Sequence, residues 1–148
     1  AIILSRQGIE TVSSRTAQER RLGVQKGAFI THKETSNLEL IIMATGSELP
    51  HAIKAAQEIG TGVRVVSIPC FERFDEQSDE YKDGILPSTC TKRIAVEAGG
   101  SLTWHKYLGT DGKAICIDRF GMSAPGSTVM KELGISVENI KSVASDLL

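Results

Sequence analysis

The amino-acid sequence predicts an α/β domain built on a mostly parallel sheet that is covered on both faces. Three observations lead there. Leu38 to Ala44 (LELIIMA) is nearly all apolar, which marks a strand buried on both sides. Short apolar runs of this kind alternate with segments whose apolar residues recur at helical spacing. The connections between them are short and marked by glycine, as parallel strands linked by helical crossovers require.

The elements follow in order. Ala1-Ile2-Ile3-Leu4 is apolar and reads as the end of a strand whose earlier part lies upstream; it is too short for a signal peptide. Residues 8–27 are polar, carry Arg15, Arg20, Arg21 and Lys26, show no apolar period and read as a linker. Gly27 to Ile30 is a short strand candidate, and Leu38 to Ala44 is the buried strand. In the next segment Leu49, Ala52, Ile53, Ala56 and Ile59 form one helical stripe. Ser47 is the expected N-cap, Pro50 falls in the first turn, and Gly60 and Gly62 stop the helix. Val63 to Ile68 is a strand, and Phe71 to Lys82 forms one or two short helices. Ile94 to Val96 is a strand ended by Gly99 and Gly100, and Ser101 to Leu108 a short helix closed by Gly109. Ala114 to Ile117 is a strand, and Ser127 to Leu133 a helix ending at Gly134. Ser136 caps a last helix with Val137, Ile140, Val143, Ala144 and Leu147 on one side.

Composition bounds the function. A chain of 148 residues is long enough for one complete core. Its net charge of -1 gives no electrostatic basis for binding nucleic acid, and no basic run suits a membrane surface. No apolar run reaches the length of a membrane span. The 3 cysteines (Cys70, Cys90 and Cys116) are widely spaced and form no CxxC pair, which argues against a zinc or redox motif and for a reduced intracellular compartment.

Few residues suggest chemistry on their own. Thr45-Gly46-Ser47-Glu48 links a buried strand to a helix, and such a turn can hold an anion at the helix start; an ordinary capped start is the favoured reading. Glu97, Asp118 and Arg119 fall at the carboxyl ends of strands, the side on which open α/β sheets bind ligands. A structural pairing of Asp118 with Arg119, or a place at a subunit interface, is preferred for them. His32, His51 and His105 lack metal-ligand spacing. His51 is expected on the solvent side of its helix, and Trp104 in the core or at an interface. Cys70 ends a strand and is expected to be a buried, inert thiol. Arg6, in Ser5-Arg6-Gln7, is chemically suited to a phosphate oxyanion but is a weak signal alone.

Taken in order, several strings resemble the C-terminal part of transketolases. They are Leu4-Ser5-Arg6-Gln7, Ala44-Thr45-Gly46-Ser47-Glu48, Val65-Val66-Ser67-Ile68-Pro69-Cys70, Phe74-Asp75, Val96-Glu97-Ala98-Gly99 and Ile117-Asp118-Arg119-Phe120-Gly121. Ser123-Ala124-Pro125 and Val137-Glu138-Asn139-Ile140 follow in the same order, so the resemblance runs over essentially the whole chain. It implies a three-layer α/β/α sandwich on a five-stranded, mostly parallel sheet with one antiparallel strand, Ala28 to Ile30 or a neighbour. It implies that residues 1–27 are the tail of a preceding domain and a linker, and that residues 28–148 are the C-terminal domain.

The parent enzyme implied is a homodimer that moves a two-carbon ketol unit from a ketose phosphate to an aldose phosphate. Thiamine diphosphate and a divalent metal (Mg or Ca) would be held by upstream domains, and no cofactor, metal or catalytic residue is expected in this chain. Arg6 matches the family's substrate-phosphate arginine. Expected partners are sugar phosphates, the upstream domains and a second copy; the expected location is the cytoplasm, or a plastid in a plant. Two other readings remain at this point. One is the same domain from a dihydroxyacetone or deoxyxylulose phosphate synthase. The other is a free-standing anion-binding regulatory module using Thr45 to Glu48.

Overall fold

A computed structural model describes residues 2–5 and 8–148 of the chain. The elements are α1 (Ala17–Lys26), β1 (Phe29–His32), β2 (Leu40–Ala44), α2 (Leu49–Ile59), β3 (Val63–Ser67), α3 (Phe71–Asp75), α4 (Asp79–Ile85), β4 (Arg93–Val96), α5 (His105–Leu108), β5 (Lys113–Ile115), α6 (Gly126–Glu132) and α7 (Val137–Leu147). Two 3-10 turns, Gly46–Glu48 and Leu102–Trp104, lead into α2 and α5.

The sheet runs β1-β3-β2-β4-β5. Strands β2 to β5 are parallel, and β1 lies antiparallel against β3 at one edge. The antiparallel strand is thus the one expected near Ala28 to Ile30. The central strand β2 is buried along its whole length, so both its faces need cover. Leu40, Ile42 and Ala44 join Val63, Val65, Ile94 and Val96 beneath α2 and α7. Ile41 and Met43 point the other way, into a second core with Val66, Ile68, Phe74, Trp104, Tyr107 and Leu108. This period-two division makes three layers, helices on either side of one sheet.

Three local expectations are corrected. The stretch read as a linker contains α1, whose Thr16 hydroxyl accepts from the Glu19 amide while the Glu19 carboxylate accepts from the Thr16 amide. This capping box starts a helix that has almost no apolar stripe, which is why periodicity passed over it. The chain before α1 is fastened to β1: Ser14 Oγ donates to the Thr31 carbonyl (2.5 Å) and Arg15 Nε to the Ile30 carbonyl (2.8 Å). Gly27 ends α1 at φ 86°, and a Cβ there would run into the Phe74 amide and the Cys70 carbonyl, so only glycine fits.

The second correction concerns Ile2, Ile3 and Leu4, which are in no strand and are exposed. The third concerns Ser47. It is not an N-cap but sits inside the 3-10 turn, where its hydroxyl donates to Glu48 Oε1 at 3.1 Å. Ser136, by contrast, does cap α7 by accepting from the Asn139 amide.

Candidate functional site

Register places the chemistry on one edge of the sheet. Ala44 pairs with Ser67 and with Val96, and Val96 with Ile115, so the four parallel strands end side by side. Past these ends run Thr45 to Glu48, Ile68 to Cys70, Glu97 to Gly100 and Cys116 to Asp118. The chain leaves β2 for β3 on one side, and β4 lies on the other. The crevice between β2 and β4 is therefore the switch point, where sheets of this kind take ligands.

The crevice is acidic. Glu48 is only 4% exposed, at the start of α2. Its amide donates to the Thr45 carbonyl at 3.2 Å, so that N–H is not free for a ligand. Glu97, half-buried after β4, is pushed up to about 7 by burial first and then by the charge of Glu48. Burial likewise lifts the Cys116 thiol to about 11, with Asp118 and Glu97 adding to it. An anion entering here would meet the chain's own carboxylates, so the anion-binding reading of Thr45 to Glu48 is not favoured.

The neighbouring candidates have structural duties. Asp118 does not pair with Arg119; it accepts from the Ser101 amide at 2.8 Å and so ties the loop after β5 to the loop after β4. None of the ion pairs among the described residues involves Arg119. His105 faces the Ser101 hydroxyl at 3.3 Å, and His51 is half-buried. Trp104 is in the core, edge-on to Phe71 at 4.9 Å between ring centres. Cys70 is half-exposed rather than buried, with its thiol 3.4 Å from a Glu72 carboxylate oxygen. Among the described residues no three His, Cys, Asp or Glu side chains gather to hold a metal. No described helix is long and apolar enough to cross a membrane. Arg6 lies outside the described residues.

Sequence reasoning placed Glu97 correctly at a strand end but missed the burial of Glu48. The signal was present: Glu48, Ala52, Ala55 and Ile59 fall on one helical stripe, so Glu48 belongs to the face turned inward.

Comparison with known proteins adds to this geometry. Residues 27–136 match the family described as the transketolase-like TK C-terminal domain. The transketolase of Dictyostelium discoideum is 51% identical over 141 residues, covering 95% of this chain and 21% of that protein. A solved transketolase from Leishmania mexicana superposes with a TM-score of 0.80 at 35% identity, over 91% of this chain and 19% of that one. A Pichia stipitis transketolase in complex with sedoheptulose-7-phosphate superposes with a TM-score of 0.82 at 27% identity, over 96% of this chain and 20% of that one. The chain thus spans about a fifth of the length of the relatives it matches.

Proposed function

The chain belongs to the transketolase family, as its C-terminal domain, and from that premise we propose that it serves an enzyme moving a two-carbon ketol unit from a ketose phosphate to an aldose phosphate. What carries this reading is likeness to transketolases along nearly the whole chain. The sugar phosphate bound to the Pichia stipitis relative supports the substrate class. A synthase of dihydroxyacetone or deoxyxylulose phosphate has no comparable support.

The chemistry of such an enzyme needs an electron sink that amino-acid side chains do not provide; thiamine diphosphate supplies it, with a divalent metal such as Mg or Ca. The described residues offer no cluster fit for that metal. We place both groups in the other domains of the full-length enzyme and route no step through this chain. This domain's part is assembly, as one-fifth of each subunit of a homodimer, together with contact to the substrate phosphate. Residues 1–27 connect it to the domain before. The setting is the cytoplasm or a plastid, where the pentose phosphate pathway and the Calvin cycle consume such substrates.

Arg6 is the residue assigned to the phosphate. A guanidinium offers two parallel donors to a phosphate dianion. A charge-assisted contact of this kind is worth roughly 1.5–3 kcal/mol. In the full-length enzyme, Arg6→Ala should therefore lower kcat/KM for phosphorylated substrates about ten- to a hundredfold. Arg6→Lys should recover part of the loss, and unphosphorylated sugars should be affected much less. An equal loss on both kinds of sugar would make Arg6 structural and remove the assignment.

A further inference from the structure

The sheet ends in two edge strands, β1 and β5, and an edge strand is a template for pairing with another chain. β5 is 3 residues long and begins on the exposed Lys113, two features that discourage such pairing. β1 has neither protection in its own sequence. Phe29–His32 carries no lysine, acid or proline, and Phe29, Ile30 and Thr31 are residues that favour strands.

The protection of β1 comes from elsewhere in the chain. Its register against β3 shifts between Ile30 and His32, and there the Thr31 hydroxyl donates to the Val65 carbonyl at 3.2 Å. A bulge of this kind breaks the ladder locally and leaves backbone groups in need of partners. Two side chains supply them: Ser14 Oγ donates to the Thr31 carbonyl at 2.5 Å, and Arg15 Nε to the Ile30 carbonyl at 2.8 Å. Two successive carbonyls of the edge strand thus already hold donors.

The turn bearing Ser14 and Arg15 is itself held in shape. Arg20, on α1, donates from Nη1 to the Val12 carbonyl at 2.9 Å and to the Arg15 carbonyl. Val12 packs against the core beneath α2 and α7. The far end of α1 meets the opposite layer, where Gly27 lies against the backbone of Phe74, a member of the second core. The segment therefore begins on one face of the sheet and ends on the other, and it passes β1 on the way.

We infer that Val12 to Lys26 is a guard for the β1 edge, and that lifting it lets β1 of one copy of this chain pair with β1 of a second copy. A second copy is the fitting partner because the strand is uncharged apart from its terminal histidine, and like strands run antiparallel about a two-fold axis present the same surface to each other. The segment read from sequence as a linker has in this way a duty of its own, separate from joining two domains.

The test compares sedimentation of this 148-residue chain with that of Ser14→Ala/Arg15→Ala over rising concentration. Each lost bond shifts an equilibrium about two- to tenfold, so the double variant should self-associate at least about tenfold more tightly than the parent. Amide exchange over β1 should slow as the double variant is concentrated, which a loss of stability alone does not produce. Adding His32→Lys, a charge on the bared edge, should return sedimentation to that of the parent. A double variant that sediments as the parent does at every concentration overturns the inference. So does added association that leaves β1 exchange unchanged or survives His32→Lys. Should the double variant not fold, Ser14→Ala and Arg15→Gln are measured singly in the same way. Tighter association in either, with slowed β1 exchange, supports the guard, and unchanged sedimentation in both ends it.

Discussion

Among the described residues, Arg64 and Glu34 form the closest ion pair. Arg64 lies near the start of β3, directly after Val63, and is buried. Its Nε and Nη2 donate to the two carboxylate oxygens of Glu34 at 2.8 and 2.5 Å, and its Nη1 donates to the Gly84 and Ile85 carbonyls at 3.0 Å each. One guanidinium thereby joins the loop after β1, the strand β3 and the end of α4. Arg64→Met would leave a half-buried carboxylate and two carbonyls without their donor. Removing one partner of such a pair costs about 3–5 kcal/mol, so the urea midpoint should drop sharply, and Glu34→Gln should cost clearly less. The Arg64 hydrogen bond holds Glu34 below its ordinary value of 4.5. With a depressed carboxylate, the stability is present above pH 4.5 and lost as pH falls through the lower folded value. Acid should therefore weaken the parent chain below that pH more steeply than it weakens Glu34→Gln. Residue-scale features of this kind were hard to read in advance. A pattern of apolar residues identifies the strand Val63 to Ile68 but says nothing of what lies above Arg64, because Glu34 and Gly84 are far from it along the chain. The same limit hid the effect of the Glu48 charge on Glu97, since the two follow strands β2 and β4, which only the fold sets side by side.

Elements were legible where burial alone makes them. β2, α2, β3, β4 and α7 follow directly from apolar runs and stripes, since each turns a full face into one of the two cores. α1 was not legible that way, because only Gly23 within it is buried. What makes α1 a helix is its ends: the Thr16–Glu19 capping box and the Gly27 terminus. Lost caps cost about 1 kcal/mol. In α1 that loss has no apolar stripe to offset it, so Thr16→Ala should fray the helix itself. Amide exchange over residues 17–22 should quicken several-fold while exchange in β2 stays unchanged. The same substitution at Ser136 should be milder locally, because Val137, Ile140 and Ala144 hold α7 on the core. Equal exchange of α1 in parent and Thr16→Ala would show that its fastening to β1, through Ser14 and Arg15, carries it instead.

At the scale of the whole molecule, the two cores share one five-stranded sheet in which every strand is paired with a neighbour, the β1–β3 pair with a register shift between Ile30 and His32. Neither core can be exposed without tearing strands that also serve the other, so the chain should unfold in one cooperative step. Trp104 fluorescence and far-ultraviolet circular dichroism should give coincident urea transitions. Cofactor chemistry should be separable from this stability. The described residues bring no metal-holding cluster together, and the carboxylates past the ends of β2 and β4 give a diphosphate nothing to bind. The chain should accordingly stay folded in the presence of a chelator, and calorimetric titration with thiamine diphosphate and magnesium should give no saturable heat. A ligand that bound only the folded state at a hundred times its Kd would add about 2.7 kcal/mol to stability, so the urea midpoint provides a second and independent reading. Saturable micromolar binding, or a midpoint that rises with thiamine diphosphate and magnesium, would mean that this domain holds part of the cofactor site itself and that the division of labour proposed between it and the rest of the enzyme is wrong.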